Sequence, residues 1–339
     1  MDDATLGVSG LSALSFQLSA IMISVVIPVS NQGQRLKKSL QHLMAQQEAP
    51  FEVILVDDAS TDDSMQVART MLSDRPDTQL VCHSRPMGLW HTRREGIRLA
   101  RGRRLLFLDP REWLEPGALK RLSDTMSSYD ADLVQMRTQR YVRNVPLKRG
   151  DHPEAVYWHT YTGDDYRRLT RFVGIGSCIT PFCGDKLYRT DLLREAADID
   201  FRANWGEAQV LIINYLRMAR SLVLTDFAGI NADWVHNYYT FRYSRLDDYK
   251  QLHTLKRCLC ADTRAVDEEL ATHLRCHIAQ LLGDVAWTPQ AVAHFLGREL
   301  ENPVWRQSGV TDDIHTLISQ QQGALRRTRL RSLLKRLVR

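Results

Sequence analysis

The sequence predicts an α/β protein built on a largely parallel sheet, on two observations. Short β-branched or apolar runs, each closed by a proline or a carboxylate, alternate with segments of helical periodicity from Ile23 to Pro116. The runs are also apolar on both faces, as strands between two helical layers must be. Parallel strands joined through helices cross over with one hand. Their carboxyl ends then gather on one rim, where ligands of open α/β sheets sit.

Ile23 to Pro28 is the first strand, and Leu36, Leu40, Leu43 and Met44 recur at helical spacing after it. Phe51 to Asp58 is a second buried strand ending in two carboxylates. Ala59 to Ser64 follows as a turn and helix cap, its acids placed at the positive helix end. Leu80 to His83 is a third strand, and Gly88 to Ala100 a helix closed by Gly102. The central strand, Arg104 to Leu108, stops at Asp109 and Pro110, and Glu115-Pro116 opens the next helix. Beyond Ala131 the rhythm loosens. Asp132 to Arg137 reads as a strand and 140–165 as a polar connection. Lys186 to Arg189 is a strand turning into a short helix at Asp191 to Arg194, Glu207 to Ala219 an amphipathic helix, and Leu222 to Thr225 a further strand. An aromatic-rich stretch, Trp234 to Tyr243, precedes a helical pattern that runs to the end with breaks at Pro289 and Pro303. The expected organisation is a leader over 1–21, a domain over 22–243 and a helical region over 244–339.

Hydrophobic content of 44% and charged content of 25% are those of a globular protein, and no apolar run reaches the roughly 20 residues of a membrane span. Residues 1–21 carry Asp2 and Asp3 but no Lys or Arg, which argues against a secretory signal and makes Met22 a candidate start. The six cysteines show no paired framework and suit a reducing compartment. Cys258-Leu259-Cys260 with nearby His253, His273 and His277 falls outside zinc-ligand spacing and reads as thiols packed on helices. Net charge is +5, yet Ala324 to Arg339 alone holds seven Lys or Arg and no acid, so the rest is slightly acidic. That excludes a uniformly basic nucleic-acid binder, and the tail lacks the interleaved aromatics that stack bases. In the tail Leu330, Leu333, Leu334 and Leu337 share one helical face with cations on the other. It reads either as an interfacial helix on anionic lipid or as a terminal helix packed on the domain.

Ser24 to Asn31, Val56 to Asp62, Gly88 with Arg93 and Gly96, Phe107-Leu108-Asp109 with Trp113, Lys186-Leu187-Tyr188 and Gly206-Glu207 occur in an order and spacing that resembles the inverting family 2 glycosyltransferases of GT-A fold. The resemblance covers residues 22–243. It implies a nucleotide-sugar site at Pro28, Ser30, Asp57, Asp58, Arg93 and Asp109, with Asp58 reading the base, Asp57 supporting the loop, and Arg93 facing the diphosphate. An exposed helical arginine and a cap on the helix after Thr61 are the bland readings of Arg93 and Asp58. The acceptor side would carry Trp113, Tyr238, Tyr239 and Arg242.

The sequence departs from that family at four places. Ser30 stands where an aromatic ring usually covers the base. The metal motif Asp-x-Asp reads Asp109-Pro110-Arg111, leaving Asp109 and Glu112 as the ligands for Mn or Mg, with the Glu112 side chain expected to point elsewhere on the turn. Ala208 occupies the base position, leaving Asp185, another acid, or Glu207 with a rotated helix start to serve, and Arg94 replaces an asparagine. Two readings follow. In one, Arg111 replaces the metal as counter-charge and the enzyme is metal-independent. In the other, a silent GT-A-like chain binds nucleotide or a partner enzyme. The resemblance favours a glycosyltransferase moving a sugar from a nucleotide-diphosphate donor, a UDP-sugar, to a surface or lipid-linked glycan with inversion. It would be cytoplasmic and peripheral at the inner face of the plasma membrane through 324–339.

Overall fold

The computed structural model describes residues 22–142, 145–146, 159–162, 179–201, 206–233, 246–259, 264 and 266–268. The chain divides into two compact units, Met1–Tyr238 and Tyr239–Arg339.

In the first unit, β1 (Ile23–Val29) lies between β2 (Phe51–Asp57) and β4 (Arg104–Phe107), and β3 (Thr78–Cys82) flanks β2, all parallel. Both β1 and β2 are buried along their whole length, which is why their sequences are apolar without alternation. The connecting helices are α1 (Gly33–Met44), α2 (Ser64–Leu72) and α3 (Leu89–Leu99). Leu36, Leu40 and Leu43 of α1 pack into the core. Gly96 lets α3 press onto β1, since a Cβ there would lie 2.2 Å from Val26 Cγ1.

Past β4 the sheet is mixed. β5 (Glu112–Leu114) and α4 (Ala118–Ser128) precede β6 (Leu133–Val142), β7 (Val145–Pro146) and β8 (His159–Thr162). β9 (Lys186–Arg189), α5 (Thr190–Ala196), α6 (Glu207–Met218) and β10 (Ser221–Asp233) complete the unit. Strand order is β3-β2-β1-β4-β9-β6-β10-β5, with β7 on β6 and β8 on β10. β9 enters antiparallel to β4 and to β6, and β5 antiparallel to β10. The α/β architecture is as expected, but the parallel register ends with β4, apart from β10 beside β6. The regular alternation of strand and helix in the sequence loosens soon after, beyond Ala131. β10 runs far beyond Leu222 to Thr225, through two irregularities between Leu224 and Ile230. Those breaks blur the alternation that would have betrayed its length.

α6 is not amphipathic. Residues from Gln209 to Leu216 are buried without interruption, so the helix is enclosed on every side.

In the second unit, α7 (Leu246–Leu259) carries His253, whose Nε2 lies 2.8 Å from Asp267 Oδ1, and Cys258, which is exposed rather than packed. Cys260, His273 and His277 lie outside the described residues, as do the leader 1–21 and the tail 324–339. Among the described residues no helix is long and apolar enough to cross a membrane.

Candidate active site

The strand order fixes where the site lies. The chain steps from β1 out to β2 and β3, then returns to the other side of β1 at β4, so the ends of β1 and β4 form a switch point open to ligand. A cleft of about 150 Å³ occupies it. β1 and the turn after it contribute Pro28, Ser30 and Gln32 to the wall, and the end of β2 contributes Asp58. The first turn of α3 adds Leu89 and Thr92, and the turn after β4 adds Asp109, Pro110 and Arg111. The two acids singled out in the sequence therefore face one cavity.

Asp58 is held by its neighbours. Its amide donates to the Val29 carbonyl at 2.8 Å. Its carboxylate accepts the Met87 amide (2.6 Å), the Gly88 amide (2.8 Å) and His83 Nδ1 (2.9 Å). Burial pushes the carboxyl pKa up, but these hydrogen bonds outweigh it and hold it below the ordinary aspartate value. The ionised carboxylate only accepts, so His83 carries its proton on Nδ1. Asp58 thus caps α3, whose N-cap Gly88 sits at φ 89, and not the helix after Thr61. Sequence proximity suggested the nearer helix; the parallel crossover brings the next one instead. His83 and the cleft-lining Gln32, Leu89 and Thr92 were missed, although Gly88 marked the start of the helix that carries Leu89 and Thr92.

Asp57 supports the loop. It is 3% exposed, and its Oδ2 accepts the Ser60 amide at 3.1 Å. The rims after β1 and β2 are stapled together: Asn31 donates its amide to Ser60 Oγ and accepts the Thr61 amide, both at 2.9 Å. Asn31 adopts φ 53 to do so, a conformation asparagine tolerates better than most residues. Ser30 puts a hydroxyl where a ring was expected, so this wall offers no stacking surface.

The Asp109 turn is a closed hydrogen-bonded unit. The Glu112 amide donates to the Asp109 carbonyl (2.8 Å), the Arg111 amide to Asp109 Oδ1 (3.0 Å), and the Asp109 amide to Glu112 Oε2 (3.0 Å). Glu112 therefore folds back onto the turn instead of pointing away. Its carboxyl lies against Gly184, where a Cβ would come within 2.1 Å of Oε2. Burial first, and the Asp109 charge second, push its pKa up to about 8. The pair of carboxylates expected for Mn or Mg does not fit a divalent cation. Glu112 Oε2 is committed to a backbone amide, Asp109 Oδ1 to another, and Arg111 lines the same wall. Among the described residues no three His, Cys, Asp or Glu converge on a common point.

Arg93 is 8% exposed, which overturns the reading of an exposed helical arginine. Its Nη1 donates to Glu207 Oε1 at 2.8 Å, across 114 positions of sequence. Glu207 opens α6 after Gly206, whose φ of 86 glycine alone adopts freely. Neither Arg93 nor Glu207 lines the cleft wall itself. Asp185, the other acid weighed as a base, is 1% exposed and tied to Lys186 Nζ at 2.7 Å, so it has no free edge to offer an incoming hydroxyl. Trp113 is likewise not on the cleft. It is 7% exposed, with Lys38 Nζ 3.1 Å above its ring and Tyr141 at 5.3 Å, and it is buried in the middle of β5. Tyr238, Tyr239 and Arg242 lie outside the described residues.

A mixed sheet with a cleft of two acids and an arginine at its switch point is the architecture of a GT-A-type domain. The chain belongs to glycosyl transferase family 2, whose model matches residues 24–195. S. aureus TarS, solved with UDP-GlcNAc, shares the fold with a TM-score of 0.62 at 20% identity, over 89% of this chain and 92% of that one. An uncharacterised Mycobacterium tuberculosis protein is 35% identical over 112 residues, 33% of this chain and 34% of that protein. The glycosyltransferase GlyG of Streptococcus pneumoniae is 25% identical over 145 residues, 43% of this chain and 45% of GlyG. The match thus spans less than half of these curated relatives.

Proposed function

We propose that this chain transfers a sugar from a nucleotide-diphosphate donor, a UDP-sugar, to a surface or lipid-linked glycan with inversion. The observation that carries this reading is the convergence of Asp58, Asp109 and Arg111 on one cleft at the sheet's switch point. The UDP-GlcNAc complex of TarS, a chain of the same fold, supports the choice of donor. In this reading the base lies beside Asp58 and the diphosphate faces Arg111. The acceptor hydroxyl oxygen bonds to the anomeric carbon as the carbon–oxygen bond to the diphosphate breaks. UDP leaves with the electron pair, and the hydroxyl proton passes to Glu207 once the start of α6 turns that carboxylate toward the cleft. Arg93, bonded to Glu207, holds that carboxylate at the start of α6.

Ala208, which bears no proton acceptor, favours a second reading in which the chain binds nucleotide without turnover. A thermal-shift series with UDP, GDP, CDP and their sugars, followed by donor turnover, separates the two. Nucleotide at about 100 times its Kd stabilises the fold by about 2.7 kcal/mol. Glu207→Gln is expected to leave that shift intact and lower turnover by about 10²–10⁴-fold. A shift without turnover in the wild type selects the silent reading, and no shift with any nucleotide sinks both.

The seven cations and the leucine face of 324–339 support peripheral attachment to anionic lipid at the cytoplasmic face of the plasma membrane. Deleting 324–339 is expected to move the protein from the membrane pellet to the supernatant; an unchanged distribution removes this part of the proposal.

A further inference from the structure

We propose that Arg111 takes the place of a divalent cation in this cleft, so that the diphosphate is gripped by a guanidinium rather than through a metal. The inference rests on the nucleotide-sugar reading and adds the identity of the counter-charge.

Three features of the turn after β4 carry it. The main chain around Arg111 is pinned on both sides: its amide donates to Asp109 Oδ1 at 3.0 Å, and its carbonyl accepts the Asp233 amide at 3.0 Å. The side chain thus starts from a fixed point at the cleft wall, in the same lining as Ser30 and Asp58. A planar fork delivered from a rigid backbone loses little freedom on pairing with two phosphate oxygens.

The acids beside it are also arranged against metal ligation. A hard divalent cation needs several oxygens converging on one point. Here Asp109 Oδ1 is turned to the Arg111 amide and Glu112 Oε2 to the Asp109 amide. Gly184 backs the Glu112 carboxyl, since any Cβ would occupy its place, so this inward rotamer is built into the packing.

Finally, charge decides between the two counter-ions. A guanidinium and a divalent cation competing for the same few ångströms of wall repel one another.

The test is isothermal titration of the full chain with UDP, GDP and CDP, in EDTA and again with Mn²⁺. Wild type is expected to bind one of them with the same Kd, within twofold, in both buffers. Arg111→Ala should weaken binding by about ten- to hundredfold in EDTA, the range of a charged hydrogen-bonded contact. Arg111→Lys should recover only part of it. Arg111→Asp, which restores a second carboxylate two positions after Asp109, should bind weakly in EDTA and regain affinity with Mn²⁺. Circular dichroism melts confirm that each variant is folded. Wild type that binds only with Mn²⁺, or Arg111→Ala that binds as wild type does, overturns the inference while the nucleotide reading stands. Wild type that binds no nucleotide in either buffer overturns both.

Discussion

Replacing Lys186 with methionine is expected to destabilise the first unit by about 3–5 kcal/mol, the usual cost of breaking a buried ion pair from one side. Lys186 is fully buried, and its ammonium group donates to the Thr180 carbonyl (2.9 Å), Thr180 Oγ1 (2.6 Å), the Phe182 carbonyl (2.8 Å) and Asp185 Oδ1 (2.7 Å). Four acceptors converging on one cation hold the segment before β9 against the sheet. Methionine matches its length but leaves the Asp185 carboxylate charged and unpaired in the interior. The double variant Asp185→Leu/Lys186→Met removes both charges, and its loss should be smaller than that of Lys186→Met alone. Urea midpoints measure both. A double variant less stable than the single would show that the backbone contacts, not the charge pair, dominate.

Glu52→Gln is expected to be the second-largest loss, and to depend on pH. Glu52 is 0% exposed on β2, yet its carboxylate is ionised by design of its surroundings. Oε1 accepts Ser24 Oγ from β1 (2.7 Å) and the Arg101 amide (2.6 Å), while Oε2 accepts Arg101 Nε (2.7 Å). Burial raises its pKa, but the bonds from Ser24 and Arg101 outweigh that and bring it below the ordinary 4.5. A group whose folded pKa is depressed contributes stability that is full above its unfolded value and lost as pH falls through the folded one. The gap between wild type and Glu52→Gln, about 1–3 kcal/mol for bonds to a charged group, should therefore be widest at pH 6–8. It should shrink below about pH 4.5. A gap constant down to pH 3 would show that shape, not charge, sets its value.

Glu112 has the opposite sign. Its raised pKa, about 8, means that the folded state holds a proton which the unfolded chain has already released, so it costs stability as pH rises from the ordinary glutamate range towards 8. The two carboxylates are shifted in opposite directions. Donors decide the difference: Glu52 meets a hydroxyl, an amide and a guanidinium, whereas Glu112 has one amide and the charge of Asp109 beside it.

By itself the sequence determined the first half of the fold and the location of the cleft. Buried strands announce themselves by runs such as Ile23 to Val29, and proline or carboxylates at their ends mark the ligand rim. Crossover handedness then brings Asp58 and Asp109 together with no further information. What the tertiary structure alone decided is what each charged group does there. Arg93 meets Glu207 across 114 positions, Asp58 caps a helix from the following crossover, Glu112 turns inward into the space that Gly184 leaves, and Trp113 lies under Lys38. The physical reason is range. Periodicity and strand ends are set by neighbours within a few positions, whereas a carboxylate's charge state and partner are set by whichever distant donors the fold brings within about 3 Å.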